Sequence, residues 1–189
     1  MKIGLVVEDE RDCHAYSELI RKIRDDIQDL VPIPCHGVAN LKKSLVGWLR
    51  YFEYSQRVDK VLVIRDSDCA DAVQREQELQ AILTNSNFHP TYHFHFYATK
   101  CELETWLLAD EGAVNAVAQN RGKKAKAKEV KIAFENYKPA KELFERTLSE
   151  VQLPADSVVY KEIAAAVDIK KIASKCGRFA LFINAVKAC

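Results

Sequence analysis

The chain of 189 residues is 48% hydrophobic and 29% charged, a composition typical of one globular domain or of one domain with a helical extension. Its formal net charge of +1 gives no general attraction to nucleic acid, so only local charge can argue for such a partner. No apolar run approaches the ~20 residues that span a membrane, and the start turns acidic at residue 8 with no cleavage site. We therefore expect no membrane association and a cytoplasmic location.

The order of strands and helices follows from hydrophobic periodicity. Four segments predict strands, in chain order Lys2–Val7, Val31–Cys35, Lys60–Arg65 and Thr91–Tyr97. Apolar residues at helical spacing predict helices over residues 16–30, 41–52 and 71–84. After residue 100 the pattern is helical only.

Alternation of strands and helices builds a parallel sheet with helices on both faces. The predicted fold is therefore α/β, with a parallel four-stranded sheet flanked by helices and a helical C-terminal part. We divide the chain into an α/β domain, residues 1–110, and a basic segment with a helical extension, residues 111–189, that packs on it. Ligands of such sheets bind at the carboxyl ends of the strands.

Carboxylates follow two of the predicted strands. Glu8 comes directly after the first strand, and the run VIRDSDCADA places Asp66, Asp68 and Asp71 after the third. Ionised carboxylates at one edge repel each other unless a cation lies between them, and Mg²⁺ and Mn²⁺ prefer oxygen ligands. The alternative is structural, with Asp66 capping a turn and the other two aspartates beginning the next helix. We favour a metal site that includes Glu8, Asp66 and Asp68.

Two further groups are candidates. Glu104 opens a helix after the fourth strand, and we predict it as another metal ligand, although helix-start acids such as Glu102 are commonly structural. The segment RGKKAKAKEVK, residues 121–131, is strongly basic and is either a solvated face or a phosphate-contacting loop. The predicted nucleic-acid contacts are Lys123, Lys124, Lys126 and Lys128.

A known family combines these features. Glu after strand one with Asp-x-Asp after strand three resembles the TOPRIM fold of topoisomerases, primases and OLD-type nucleases, and Glu8, Asp66 and Asp68 match in order. Asp12 matches a further acid of the OLD-type nucleases, whereas Asp9 stands where the family usually has Gly.

The resemblance extends to short stand-alone bacterial TOPRIM-like proteins of uncharacterised function and covers nearly the whole chain. The matching motifs are Arg65-Asp66-x-Asp68, CELETWLLAD at residues 101–110, Lys138-Pro139 with Leu143, Tyr160-Lys161, and Ser174 with Phe179. The late Lys of OLD-type nucleases corresponds to Lys161.

This resemblance implies a nuclease that depends on Mg²⁺ or Mn²⁺ and hydrolyses phosphodiester bonds, with DNA as the favoured substrate. Its metal ligands would be Glu8, Asp12, Asp66, Asp68 and Glu104. Glu8, as a ligand or as a general base, and Lys161 would be its catalytic residues. The bacterial relatives also imply a role in defence against phage or foreign DNA.

Two alternatives remain open. The opening GLVVEDERD is similar to response-regulator receiver domains, in which Asp66 would be the phosphorylated aspartate and Lys138-Pro139 the family's Lys-Pro pair. That pair falls late in the chain, and a receiver's strand-four Ser or Thr could only be Thr99. The second alternative is a non-catalytic TOPRIM scaffold that acts through a partner protein, such as one from a defence system.

The cysteines at positions 13, 35, 69, 101, 176 and 189 form no CxxC pair and no zinc spacing. We expect reduced thiols that belong to the core.

Overall fold

A computed structural model describes residues 1–188 of the chain. Four strands form one fully parallel sheet in the order β2-β1-β3-β4, and they are β1 (Lys2–Val7), β2 (Asp29–Pro34), β3 (Lys60–Asp66) and β4 (His93–Thr99). The α/β prediction with a parallel four-stranded sheet is confirmed. Cys189, one of the expected core thiols, lies outside the described residues.

Nine α-helices connect and cover these strands within residues 1–188. Three alternate with the strands, namely α1 (Glu10–Ile23), α2 (Val38–Tyr51) and α3 (Ala72–Asn85). Six follow β4, namely α4 (Glu104–Leu108), α5 (Glu111–Asn120), α6 (Ala140–Glu150), α7 (Ser157–Ala166), α8 (Ile169–Lys175) and α9 (Gly177–Lys187). None of the helices in this part of the chain has the length and apolar character needed to cross a membrane.

Each central strand contributes to two cores, because successive side chains of a strand point to opposite faces of the sheet. In β3, Leu62 and Ile64 join the core beneath α1 and the C-terminal helices, whereas Val61 and Val63 join the core beneath α2 and α3. This burial on both faces explains why the strands read as continuous apolar runs without polar alternation.

The C-terminal helices share the core of the sheet. Phe144 of α6, Tyr160 of α7 and Phe182 of α9 belong to the same cluster of buried side chains as Leu5 of β1 and Trp106 of α4. Helix α7 packs along α1. The segment after residue 110 therefore completes the hydrophobic cover over one face of the sheet.

The register brings particular residues to the carboxyl edge. Val6 pairs with Val63, so Glu8 lies two positions beyond this pair, close to the end of β3. Asp66 pairs directly with Thr99. The fourth strand was predicted to be Thr91–Tyr97 but ends at Thr99, because pairing with β3 continues to Asp66 and carries the strand two residues further.

Candidate metal centre at the carboxyl edge of the sheet

Two local signals place acidic residues at this edge. Asp9 is the N-cap of α1, where its side chain accepts a hydrogen bond from the Asp12 N–H at 3.1 Å. The cap starts the helix immediately after β1, so Asp12 lies in its first turn and is buried. Asp71 caps α3 in the same way, accepting from Val73 N–H at 2.8 Å. The structural alternative is therefore correct for Asp71.

Four acidic side chains, which we call the carboxylate cluster, lie together at this edge. They are Glu8, Asp12, Asp66 and Glu104. Asp12 and Glu104 are buried, with 8% and 4% of their surfaces exposed. Glu8 and Asp66 are half-buried. Two strand ends and two helices supply them, so only the folded sheet brings these residues into one place.

Burial raises the pKa of every member of the cluster, and repulsion from other members adds to this effect for Asp12 and Asp66. Burial is the main cause of the raised pKa of Asp66, and the negative charges of Asp12 and Glu104 raise it further. Burial likewise raises the pKa of Asp12, followed by repulsion from Asp9 and Glu104. Such mutual effects show that the carboxylates share one electrostatic environment.

Burial raises the pKa values of Glu8 and Glu104 as well, although favourable partners oppose it. Glu8 Oε1 accepts a hydrogen bond from Asp66 N–H at 3.2 Å and lies 3.8 Å from Arg65 Nε. Glu104 Oε1 accepts a hydrogen bond from the Tyr160 hydroxyl at 2.9 Å. Both groups are thus held in place by donors, and these donors offset part of the repulsion.

The cluster is not a ready-made ligand sphere. Among residues 1–188, no three His, Cys, Asp or Glu side chains are arranged so that they could hold a metal ion. Several of the carboxylate oxygens have other partners, including the Thr99 hydroxyl, which donates to Asp66 Oδ1 at 2.6 Å. Cation binding therefore requires some of these side chains to turn from their present partners toward a common centre.

The donor set nevertheless fits a hard divalent cation. Carboxylate oxygens are the ligands that Mg²⁺ and Mn²⁺ prefer, and a cation would relieve the repulsion that raises these pKa values. The buried hydroxyl of Tyr16, near the cluster, also has no hydrogen-bond partner within residues 1–188. A hydrated cation would bring oxygens to this point.

Asp68 lies on a strained loop at the rim of the cluster. It is exposed and has a φ of 51°, and the next residue, Cys69, has a φ of 61°. Both values fall in the left-handed region that non-glycine residues seldom adopt. The N–H groups of Ser67 and Asp68 donate to Cys101 O, each at 3.1 Å. These bonds hold the loop against the segment that leads into α4.

The same two segments are joined covalently by a disulfide between Cys69 and Cys101. The expectation of reduced thiols is therefore wrong for this pair, whose sequence separation of 32 residues concealed their proximity. The expected core location is confirmed for Cys13, Cys35 and Cys176, which are free and buried.

The structure does not bring Lys161 to the carboxylates. Its side chain is 52% exposed, and its Nζ lies 3.8 Å from Glu18 Oε1, on the contact between α7 and α1. A different cation, Arg11, lies beside a residue that contacts the cluster. The Arg11 guanidinium lies 5.4 Å from the centre of the Tyr160 ring and pairs with Glu145 Oε1 at 3.2 Å. Burial opposes the rise in the pKa of Arg11, which Tyr160, Asp9, Glu145 and Glu104 cause.

Sequence reasoning missed Arg11, Tyr16 and Thr99 as members of this edge. One signal was available, because Tyr16 follows Asp12 by one helical turn and so shares its face of α1. No local pattern identifies Thr99 or Arg11, whose partners come from strand register and from the packing of α7 on α1.

The four predicted phosphate-contacting lysines lie on an extended segment, residues 123–130, which we call the lysine strap. The side-chain amide of Asn115 on α5 anchors the strap through both backbone groups of Ala127, donating to its carbonyl at 3.0 Å and accepting from its N–H at 2.7 Å. Lys124, Lys126 and Lys128 are exposed, in alternation with Ala125 and the buried Ala127.

The strap borders a cavity of about 500 Å³ on α5, and Lys123, Lys124 and Lys126 contribute to its wall. No ion pair within residues 1–188 involves the strap lysines, although Arg121 beside them pairs with Glu162 at 2.8 Å. A concave surface with unpaired ammonium groups attracts anions.

Comparisons with family models, with curated proteins and with solved structures found no match to this chain.

Proposed function

We propose that this protein is a TOPRIM-like nuclease that hydrolyses phosphodiester bonds with Mg²⁺ or Mn²⁺. The observation that carries the proposal is the carboxylate cluster, four acidic groups with raised pKa values at the carboxyl edge of a parallel sheet. Structural acids are usually paired with cations, and their pKa values are then lowered. Carboxyl groups whose ionisation is made unfavourable, at the carboxyl ends of parallel strands, are candidates for a functional site.

The roles of the side chains follow from their positions. Glu8, Asp12, Asp66 and Glu104 would hold the cation, and Asp68 would reach it from the strained loop. A bound divalent cation supplies Lewis acidity and orients water and leaving oxygen at a phosphodiester. Glu8 is also placed to accept a proton, because burial has already raised its pKa. Arg65 stays beside Glu8 and limits the negative charge there.

The resemblance assigns to Lys161 the offsetting of charge on the phosphate. That role would require the Lys161 ammonium to leave Glu18 and to reach the cluster, whereas Arg11, although it pairs with Glu145 at 3.2 Å, already lies beside the Tyr160–Glu104 pair. We therefore propose Arg11 for this role. DNA as the substrate, a cytoplasmic location and a role in phage defence with a partner protein belong to the same proposal and derive from the resemblance.

Incubation with supercoiled plasmid tests the function directly. We expect nicked and then linear DNA with Mn²⁺ or Mg²⁺ and no cleavage in EDTA. Single-stranded DNA and RNA of matched length, assayed in parallel, identify the preferred nucleic acid. Intact substrates in every metal condition would contradict the nuclease proposal.

Neutralising the lysine strap should weaken substrate binding without changing the metal site. Three exposed lysines, Lys124, Lys126 and Lys128, are replaced by Gln. Each lost phosphate contact should reduce the salt dependence of duplex-DNA affinity by roughly one unit of logarithmic slope, because fewer counterions are released. The measurement is a fluorescence-anisotropy titration at several salt concentrations, with EDTA present to prevent cleavage.

The control for this variant removes the same charge elsewhere, by replacing Lys22, Lys43 and Lys170, which are also exposed, by Gln. Equal losses of affinity and slope in the two variants would show that the strap has no special role and that only net charge matters.

One contact favours the receiver alternative. Thr99 ends β4 and its hydroxyl donates to Asp66 Oδ1, which is where a receiver places a Ser or Thr relative to its phosphorylated aspartate. Incubation with acetyl phosphate distinguishes the two functions by mass spectrometry. We expect Asp66 to remain unmodified. Stoichiometric labelling at Asp66 that hydroxylamine removes would instead identify a phosphoreceiver.

A further inference from the structure

One hydroxyl beside the carboxylate cluster has no hydrogen-bond partner. The Tyr16 side chain is 1% exposed, and its hydroxyl oxygen is buried without a partner among residues 1–188. A buried polar group in this state is costly, because it has lost water and gained nothing in return. A hydroxyl in this state suggests either a functional role or a ligand that accepts its hydrogen bond.

The surroundings of Tyr16 fix the direction of its hydroxyl. Its ring packs edge-on against Trp106, with centroids 6.0 Å apart, and against Phe182 at 5.9 Å. Tyr16 follows the buried Asp12 by one helical turn and shares its face of α1, and burial and then the charges of Asp66 and Asp12 raise the pKa of the Tyr16 hydroxyl. The aromatic neighbours prevent the ring from turning outward, so the hydroxyl stays beside the cluster.

Other tyrosines at this end of the molecule are satisfied. The Tyr160 hydroxyl donates to Glu104, and the Tyr97 hydroxyl donates to Arg178 O. Glu8 and Asp66 have N–H or O–H donors of their own. Tyr16 therefore stands apart as a donor that faces acidic acceptors but bonds to none of them.

We propose that the Tyr16 hydroxyl is a positioning group for the metal, donating a hydrogen bond to a water of hydration that a divalent cation carries into the carboxylate cluster. This inference rests on the proposed metal site. Mg²⁺ and Mn²⁺ keep several waters in protein sites, and groups that orient the oxygens around a metal change its affinity substantially. The donor is left without a partner in the metal-free fold because its acceptor arrives with the cation.

Tyr16→Phe removes the hydroxyl and leaves the ring. Without metal, in EDTA, the melting temperature should stay constant or rise by up to about 4 °C, because an unsatisfied buried group has been removed. Mn²⁺ affinity, measured by calorimetry without nucleic acid, should fall by about tenfold or more. Unchanged or increased stability together with weaker Mn²⁺ binding is a combination that a purely structural hydroxyl would not produce.

The matched control is Tyr160→Phe, which removes a hydroxyl that already has a partner. Its melting temperature in EDTA should fall, since Glu104 is left without its donor. This variant shows what the loss of a structural hydroxyl does in the same region of the protein.

Three experimental outcomes would contradict the proposed role of Tyr16 or the proposals on which it rests. In the described part of the chain the Trp106 indole N–H is also buried without a partner, so a structural water shared by Trp106 and Tyr16 is the competing explanation. In that case Tyr16→Phe lowers the melting temperature in EDTA and leaves Mn²⁺ affinity unchanged, which overturns the proposal. Absence of Mn²⁺ binding by the unmodified protein overturns the metal site and the role of Tyr16 together. Mn²⁺ binding without cleavage of any nucleic acid refutes the nuclease alone.

Discussion

Asp66→Asn should abolish metal-dependent nicking of plasmid DNA and yet make the metal-free protein more stable. The substitution keeps the shape of the side chain and an oxygen that can accept from Thr99, so it removes mainly charge. As a proposed metal ligand, Asp66 would act on the transition state, so we expect cleavage to fall by at least about a hundredfold.

The gain in stability has the same origin as the loss of activity. Asp66 is repelled by Asp12, Glu104 and Glu8, and removing its charge relieves all three interactions at once. We expect the free energy of unfolding in EDTA to rise by about 1 kcal/mol, which corresponds to roughly 2–4 °C in melting temperature. Plasmid nicking and thermal unfolding of the same preparation measure both effects.

Asp71→Asn is the matched control. Asp71 lies in the same loop, but it caps α3 through Val73 N–H, and Asn is an equally good cap. Activity and stability should therefore stay close to those of the unmodified protein. If Asp66→Asn retains full activity while Asp71→Asn loses it, the metal site has been placed on the wrong aspartate.

Lys161→Ala and Arg11→Ala compare the two candidate cations. With its ammonium paired to Glu18 on the surface, Lys161 should be replaceable with little loss of turnover. Arg11→Ala should lower turnover more than affinity, because charge on the phosphate develops as the reaction proceeds. A hundredfold loss confined to Lys161→Ala would support the role that the resemblance assigns to Lys161.

The fold was predictable because its strands are buried on both faces. Residues Val61 to Ile64 contribute alternately to two cores, so all of them must be apolar. The result is a continuous apolar run, which is recognisable in the sequence. The meeting of Glu8 with Asp66 was predictable for a related reason, since parallel strands deliver their carboxyl ends to one edge. Both inferences need only local patterns and the rules of parallel sheets.

The partners of the carboxylates were not predictable in the same way. The bond from Tyr160 to Glu104 spans 56 positions, and the disulfide between Cys69 and Cys101 spans 32. Both contacts depend on how α7 and the loops pack on the sheet, and no short sequence pattern indicates either of them. The position of Lys161 was unpredictable for the same reason, because the packing of α7 on α1, rather than its place in a motif, determines where its side chain lies.

Divalent cations should stabilise this protein strongly, and increasingly so as the pH rises. Ligand that binds only the folded state at a hundred times its dissociation constant contributes about 2.7 kcal/mol, or roughly 5–10 °C for a chain of this size. Binding requires ionised carboxylates, so protons compete with the metal. The increase in melting temperature on adding Mn²⁺ should therefore be larger at pH 8 than at pH 5.5.

The metal-free protein should show the opposite trend. Folding raises the pKa values of Asp66, Asp12, Glu8 and Glu104, so above about pH 4 the folded state holds protons that the unfolded chain has released. A state that holds more protons loses stability as the pH rises, and the loss extends through the raised pKa values. Melting temperatures in EDTA should accordingly fall as the pH rises from about 4.

Other groups with shifted pKa values also change the stability with pH, and their contributions must be separated from that of the cluster. Asp110 and Glu111 have lowered pKa values. Burial opposes the lowering for Asp110, but hydrogen bonds from Asp168 N–H and Lys171 outweigh it, and for Glu111 the main cause is the hydrogen bond from Lys171. The stability that these two groups contribute is therefore lost only in acid. Burial lowers the pKa of His95, which makes stability rise with pH. Subtracting the pH profile of Asp66→Asn from that of the unmodified protein cancels these shared contributions. A difference profile that is flat in EDTA and unaffected by Mn²⁺ would show that the carboxylates at this edge neither repel one another nor bind a metal.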